Sequence, residues 1–130
     1  MIKQTLFLLV VLLTLACHRT APAPDISLQY QLAPQPPRIG AATLDLKLTD
    51  KNGQSVSGAR VELEVNMSHP GMSPAFVQTS EIEPGKYRGT LQFSMAGDWI
   101  VLVHITLANG QRLERKIEIN VKPQMNADRH

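Results

Sequence analysis

Met67-Ser68-His69-Pro70-Gly71-Met72 sets two thioethers and one imidazole around a Pro-Gly dipeptide. The whole chain has five methionines and four histidines, so three of them within six residues is a concentration that asks for a reason. Thioether and imidazole together are the donor set that suits Cu(I). In an oxidising compartment thiols are drawn into disulfides, whereas methionine holds a soft cation without forming them.

Local geometry draws these donors toward one point. His69 precedes a proline, which favours an extended backbone. Met67 and His69, two apart on an extended chain, then point the same way. Pro70 and Gly71 suit the central positions of a type II turn, with Pro fixing the first φ and Gly accepting the positive φ of the second. Such a turn brings the α-carbons of His69 and Met72 within about 7 Å.

Strand order brings in a fourth donor. If the strand ending at Met67 runs up, the strand from Ala75 runs down and the one from Lys86 to Met95 runs up again. Met95 then reaches the rim beside the loop, in register with Phe93 and Leu91. Trp99 opens the next strand at that end, where a ring face can shield a cation. The expectation is a Cu(I) site of Met67, His69, Met72 and Met95 with Trp99 close by. A mainly thioether set prefers Cu(I) to Zn²⁺, whose structural sites favour thiolate and imidazole. A plainer reading stays open: Met67 and Met95 cap the core, Met72 packs on a loop and His69 is solvated, because Met is a routine gap filler. His104 falls five residues past Trp99, about 17 Å down a strand at about 3.3 Å per residue, and reads as structural or surface. His18, Met125 and His130 stand on the outlying ends of the chain, so the histidines form no metal cluster.

The elements that hold this rim are strands. Leu44, Leu46 and Leu48 alternate with Asp45, Lys47 and Thr49. Val61, Leu63, Val65 and Met67 alternate with Glu62, Glu64 and Asn66. A helix would scatter those apolar residues over all its sides, so the two-residue period means strands with one buried face. Ala75 to Ile82 is a weaker strand. Tyr87, Gly89, Leu91, Phe93 and Met95 share one face of the next. Trp99 to Leu107 is near-continuously apolar, as a central strand would be. Leu113, Ile117, Ile119 and Val121 line the last strand. Asp50-Lys51-Asn52-Gly53, Pro84-Gly85, Ala96-Gly97-Asp98 and Asn109-Gly110 supply turns, the last a two-residue hairpin signal. Ile26 to Leu32 fits a first strand, confined to an edge by Pro34, Pro36 and Pro37. Seven or so strands without a helix predict an all-β, immunoglobulin-like antiparallel sandwich. Its buried set is expected to include Val61, Leu63, Val65, Leu91, Phe93, Val101, Val103, Ile117 and Ile119.

The N-terminus is of another kind. Lys3 marks a short positive region, and Leu6 to Ala16 is an apolar run of about eleven residues, too short for a comfortable span and right for a secretory signal. It ends in Leu13-Thr14-Leu15-Ala16-Cys17, which resembles a bacterial lipobox with Thr14 where Leu is usual. Cys17 is the only cysteine, so no disulfide framework exists and lipidation accounts for an otherwise odd exported thiol. Acyl chains at about 0.8 kcal/mol per buried CH₂ would anchor it stably. Cleavage nearby without lipidation, or an uncleaved anchor, is the alternative. The division expected is a lipoprotein signal over 1–16, lipidated Cys17 with a Pro-rich tether over 17–35, the sandwich over 36–123 and a polar tail over 124–130. The protein would then sit in a bacterial cell envelope, facing the periplasm or the exterior.

Composition excludes other classes. The chain has 130 residues, room for one domain. A formal net charge of +2 with no basic stripe argues against nucleic acid. No nucleophile–base pair or carboxylate pair points to an enzyme. Glu62 with Glu64, and Glu81 with Glu83, are spaced for a solvated strand face.

Two stretches carry a resemblance. Asp50 to Val61, read as D-x-x-G-x-x-V-x-G-A-x-V, is an opening common in exported β-sandwich domains. Met67 to Met72, then Pro84-Gly85-Lys86-Tyr87, then Phe93-Ser94-Met95-Ala96-Gly97-Asp98-Trp99, resembles the FixH/YtkA-like domain family over about residues 36 to 122. It differs from FixH proper in having a lipobox rather than a transmembrane helix, and MSHPGM in place of the usual Met-Pro motif. The resemblance implies a small immunoglobulin-like envelope domain whose Met/His-rich loop and M-A-G-x-W turn correspond to Met67, His69, Met72, Met95 and Trp99. Some relatives accompany copper-transport or oxidase-assembly proteins, which implies copper handling or delivery. A metal-free interaction module of an envelope assembly or transport complex is the second reading.

Overall fold

The computed structural model describes residues 23–124. Eight strands succeed one another: β1 (Ser27–Ala33), β2 (Gly40–Thr49), β3 (Arg60–Met67), β4 (Ala75–Gln78), β5 (Ser80–Glu83), β6 (Lys86–Phe93), β7 (Gly97–Thr106) and β8 (Arg112–Val121). They build two four-stranded sheets, β1-β2-β6-β5 and β4-β3-β7-β8, in which neighbouring strands pair antiparallel. The described residues contain no helix. This is the all-β two-sheet sandwich that the alternation predicts.

The core fills the space between the sheets. Leu44, Leu46 and Leu48 of β2 and Tyr87, Leu91 and Phe93 of β6 face Val61, Leu63 and Val65 of β3, Val101, Val103 and Ile105 of β7, and Ile117, Ile119 and Val121 of β8. All nine residues expected to be buried are buried. Each large side chain so placed contributes about 1.5–3 kcal/mol relative to leaving it in water. Among the described residues, no polar or charged residue is buried with them.

Four details differ from the expectation. The stretch from Ala75 to Ile82 is two strands, because β4 pairs with β3 in one sheet and β5 with β6 in the other. The crossing residue, Thr79, donates both its N–H and its hydroxyl to the Val61 carbonyl, at 3.1 and 2.8 Å. Second, β1 is an edge strand, as expected, but lies inside the 17–35 segment assigned to the tether. The sandwich begins at Ser27, and the prolines follow the strand and end it. Third, Met95 is not on the inward face of β6. That strand ends at Phe93, opposite the first residue of β2. With no partner left to pair with, the chain crosses to the other sheet, and Met95 lies in the crossing. Fourth, the β7–β8 connection is longer than a two-residue turn: Leu107 closes it by donating to the Gln111 carbonyl at 2.8 Å.

Glu81 also departs from a simple solvated face. Its carboxylate accepts from the Ser57 hydroxyl at 2.7 Å, Gly85 N–H at 3.0 Å and Gly58 N–H at 3.2 Å. Tyr87 completes this corner, donating to the Val56 carbonyl at 2.8 Å and accepting from Ala59 N–H at 3.1 Å. The segment that leads into β3 is pinned by these bonds.

Candidate metal centre

One end of the sandwich gathers the thioethers. Met67, the last residue of β3, stands opposite Trp99 in β7. The next residue, Ser68, reaches the same turn: its N–H and its hydroxyl donate to the Asp98 carbonyl at 3.2 and 2.9 Å. Asn120 of β8 donates to the Asp98 carboxylate at 2.7 Å. Trp99 sends its indole N–H to the Met95 carbonyl at 3.0 Å. Phe93 meets the Trp99 ring edge-to-face, with centroids 5.3 Å apart and planes at 61°. A short ladder of contacts therefore joins Met67, Ser68, Asp98, Trp99 and Met95.

Gly97 makes that ladder possible. Its φ of 129° lies where side-chain-bearing residues are strained, and the methyl of Met67 comes within 3.3 Å of where a β-carbon would stand. On the other side of the rim, Gly71 has φ 86°, the positive value that the second central position of a type II turn requires. The Pro70-Gly71 turn expected from the sequence is thus present.

The donors differ in access. Met72 and Met95 are 44% and 39% exposed, and His69 is exposed on the loop. Met67 is half-buried and partly occupied in packing against Gly97. Trp99 is only 6% exposed. It is a plug under the rim that holds the turn by its indole N–H, and its ring is packed on Phe93 rather than laid open over the donors. The sequence places Met67, Met95 and Trp99 at one end correctly. The Ser68–Asp98 bond had no signal in it, since 30 residues separate the pair.

The donor chemistry suits a soft cation. Two open thioethers, a half-buried third and an exposed imidazole share one end, while no group of three or more His, Cys, Asp or Glu among the described residues is arranged to hold a metal ion. Thioether and imidazole are soft to borderline donor types. His104 sits apart, as expected. It lies on the outer face of β7, with Nδ1 3.2 Å from a Glu114 carboxylate oxygen and Nε2 3.9 Å from one of Glu64. Cys17, His18, Met125 and His130 fall outside the described residues.

A family model described as YtkA-like matches residues 24–104. No curated protein matches the chain. Among solved structures, the soluble domain of PmoD from Methylocystis sp. is 15% identical, with a TM-score of 0.50 over 76% of this chain and 92% of that one. A DUF4426 family protein from Pseudomonas aeruginosa is 8% identical, with a TM-score of 0.54 over 78% of this chain and 94% of that one. At these identities the two structures share the fold and no more.

Proposed function

The chain belongs to the YtkA-like family, and from that premise we propose that it is a cell-envelope lipoprotein that binds one Cu(I) at the rim and passes it on. Met67, His69, Met72 and Met95 are the ligands, with Trp99 supporting them from below. Cys17 carries the lipid, the domain faces the periplasm or the exterior, and the recipients are envelope copper-handling or oxidase-assembly proteins. The bound ion supplies the cargo. The protein's part is to present thioethers where they can be approached from solvent.

One observation carries this reading. Met67 in register with Trp99, and Trp99 bonded to Met95, bring two thioethers from distant parts of the chain to the end where the Met/His loop also stands. The purified protein should hold Cu(I) against a competing chelator. Met67→Leu, His69→Ala and Met95→Leu should each weaken it, with His104→Ala unchanged. If the wild type fails to compete, the second reading takes its place. That reading is a metal-free docking module, favoured by the exposed apolar side chains of Ile39, Met72 and Met95 at the rim.

A further inference from the structure

β8 is the long open edge of the sandwich. Among the described residues it pairs as a strand with β7 alone, without a break in register over its 10 residues. The other edges are poorer templates for a further strand. β4 and β5 have 4 residues each, and β5 shifts register between Glu81 and Glu83. β1 runs into Pro34 and carries no charged side chain to set a register.

The backbone phase of β8 is fixed at both ends. Leu107 N–H donates to the Gln111 carbonyl, so odd-numbered residues turn their backbone groups to β7. Even-numbered residues turn theirs outward, as Lys122 does in donating to the Pro37 carbonyl at 3.0 Å. That contact closes the edge beside the rim, and the stretch before it stays open. Its even-numbered residues Arg112, Glu114, Lys116 and Glu118 also expose their side chains, and their charges alternate in sign. Such a row, when reversed, is its own complement.

We propose that β8 pairs with β8 of a second copy of this chain, antiparallel about a twofold axis at Arg115, joining two four-stranded sheets into one. Arg112 then stands opposite the partner's Glu118, and Glu114 opposite the partner's Lys116. Both residues of each pair face outward, so each pair is hydrogen-bonded and sets opposite charges side by side. Other registers fail. An axis at Glu114 or Lys116 sets like charges opposite each other. An axis at Ile117 needs the backbone of Lys122, which Pro37 occupies. The pairing exchanges contacts. Lys116 leaves Glu118 of its own strand, 2.9 Å away, and Arg115 Nη1 releases the Glu114 carbonyl, now at 3.0 Å. Glu114 keeps His104 beside it at 3.2 Å. The two Arg115 side chains are the like-charge pair on the axis, and each is drawn from it by the Ile26 carbonyl of its own copy, 3.1 Å from Nη2. A twofold of this kind is perpendicular to the sheet. Both copies therefore turn the β1 sheet to the same side, as two anchors in one membrane would require, and their rims lie at opposite ends.

The test is sedimentation equilibrium of the purified full chain in detergent, across a concentration series. The wild type should reach twice the protomer mass. Glu114→Lys and Lys116→Glu each set like charges at both 114–116 contacts and should each lose the dimer. Mixed in equal amounts, the two variants should dimerise, because every contact in the mixed pair again joins opposite charges. The double variant Glu114→Lys/Lys116→Glu should dimerise by itself for the same reason. A wild type that stays at protomer mass overturns the proposal. So do single variants that dimerise as the wild type does, or a mixture that stays at protomer mass.

Discussion

At Gly97, a single missing β-carbon lets the Met67 side chain lie across the turn that bears Met95. Gly97→Ala meets a φ of 129° and a methyl 3.3 Å from the new carbon. It should lower stability by about 1 kcal/mol or more, seen in a thermal melt, and weaken Cu(I) binding in the same sample. Glu81 is the second residue where a local arrangement can be read out. Hydrogen bonds, first from the Ser57 hydroxyl and then from the N–H groups of Gly85 and Gly58, hold its carboxyl below the ordinary glutamate range, against a smaller opposing effect of desolvation. The folded-state pKa is depressed, so the stabilisation is present above the ordinary carboxyl range and is lost as pH falls through the lowered value. Glu81→Gln should therefore be less stable than wild type at pH 7, and the gap should narrow on acidification, as denaturant midpoints at several pH values would show. Met67 was legible in the sequence because register follows from alternation. Glu81's role was not, because its partners at Ser57 and Gly58 lie more than twenty residues away and no periodicity links them.

Among the elements, the strands with one buried face announced themselves by their two-residue period. β3, β6 and β7 hold the expected core residues because alternation fixes which side chains point inward. The split between β4 and β5 stayed hidden. Both pieces are four residues long and mostly exposed, so neither carries a clear apolar face. What divides them is a hydrogen-bonded crossing at Thr79. Thr79→Val should cost about 0.5–1.5 kcal/mol through its lost hydroxyl bond, measured by denaturant unfolding, with the sandwich retained. Phe93→Ala should cost far more, about 3–5 kcal/mol, and should also disturb Trp99 fluorescence, since the two rings are in contact. Met95 was misread at this scale. The sequence shows the inward phase of β6 continuing to Met95, but not that pairing with β2 stops at Phe93.

For the whole molecule, the sandwich has two poles. β1 begins at Ser27, opposite Thr49, whereas β2 begins and β8 ends beside the rim. The chain enters the fold at the pole far from the thioethers and leaves it beside them. A lipid on Cys17 would therefore hold the domain by its far pole. Intact mass of membrane-extracted protein should show acyl chains on that residue, and Cys17→Ser should release an unmodified chain. The same polarity decides how a purification handle behaves. A run of histidines fused directly after β8 would start beside the thioethers and lend them its imidazoles, so the copper counted on such a preparation would belong partly to the handle. Placed just ahead of β1, the run would begin about 33 Å away, the length of a ten-residue strand, and the metal that remained would be the protein's own.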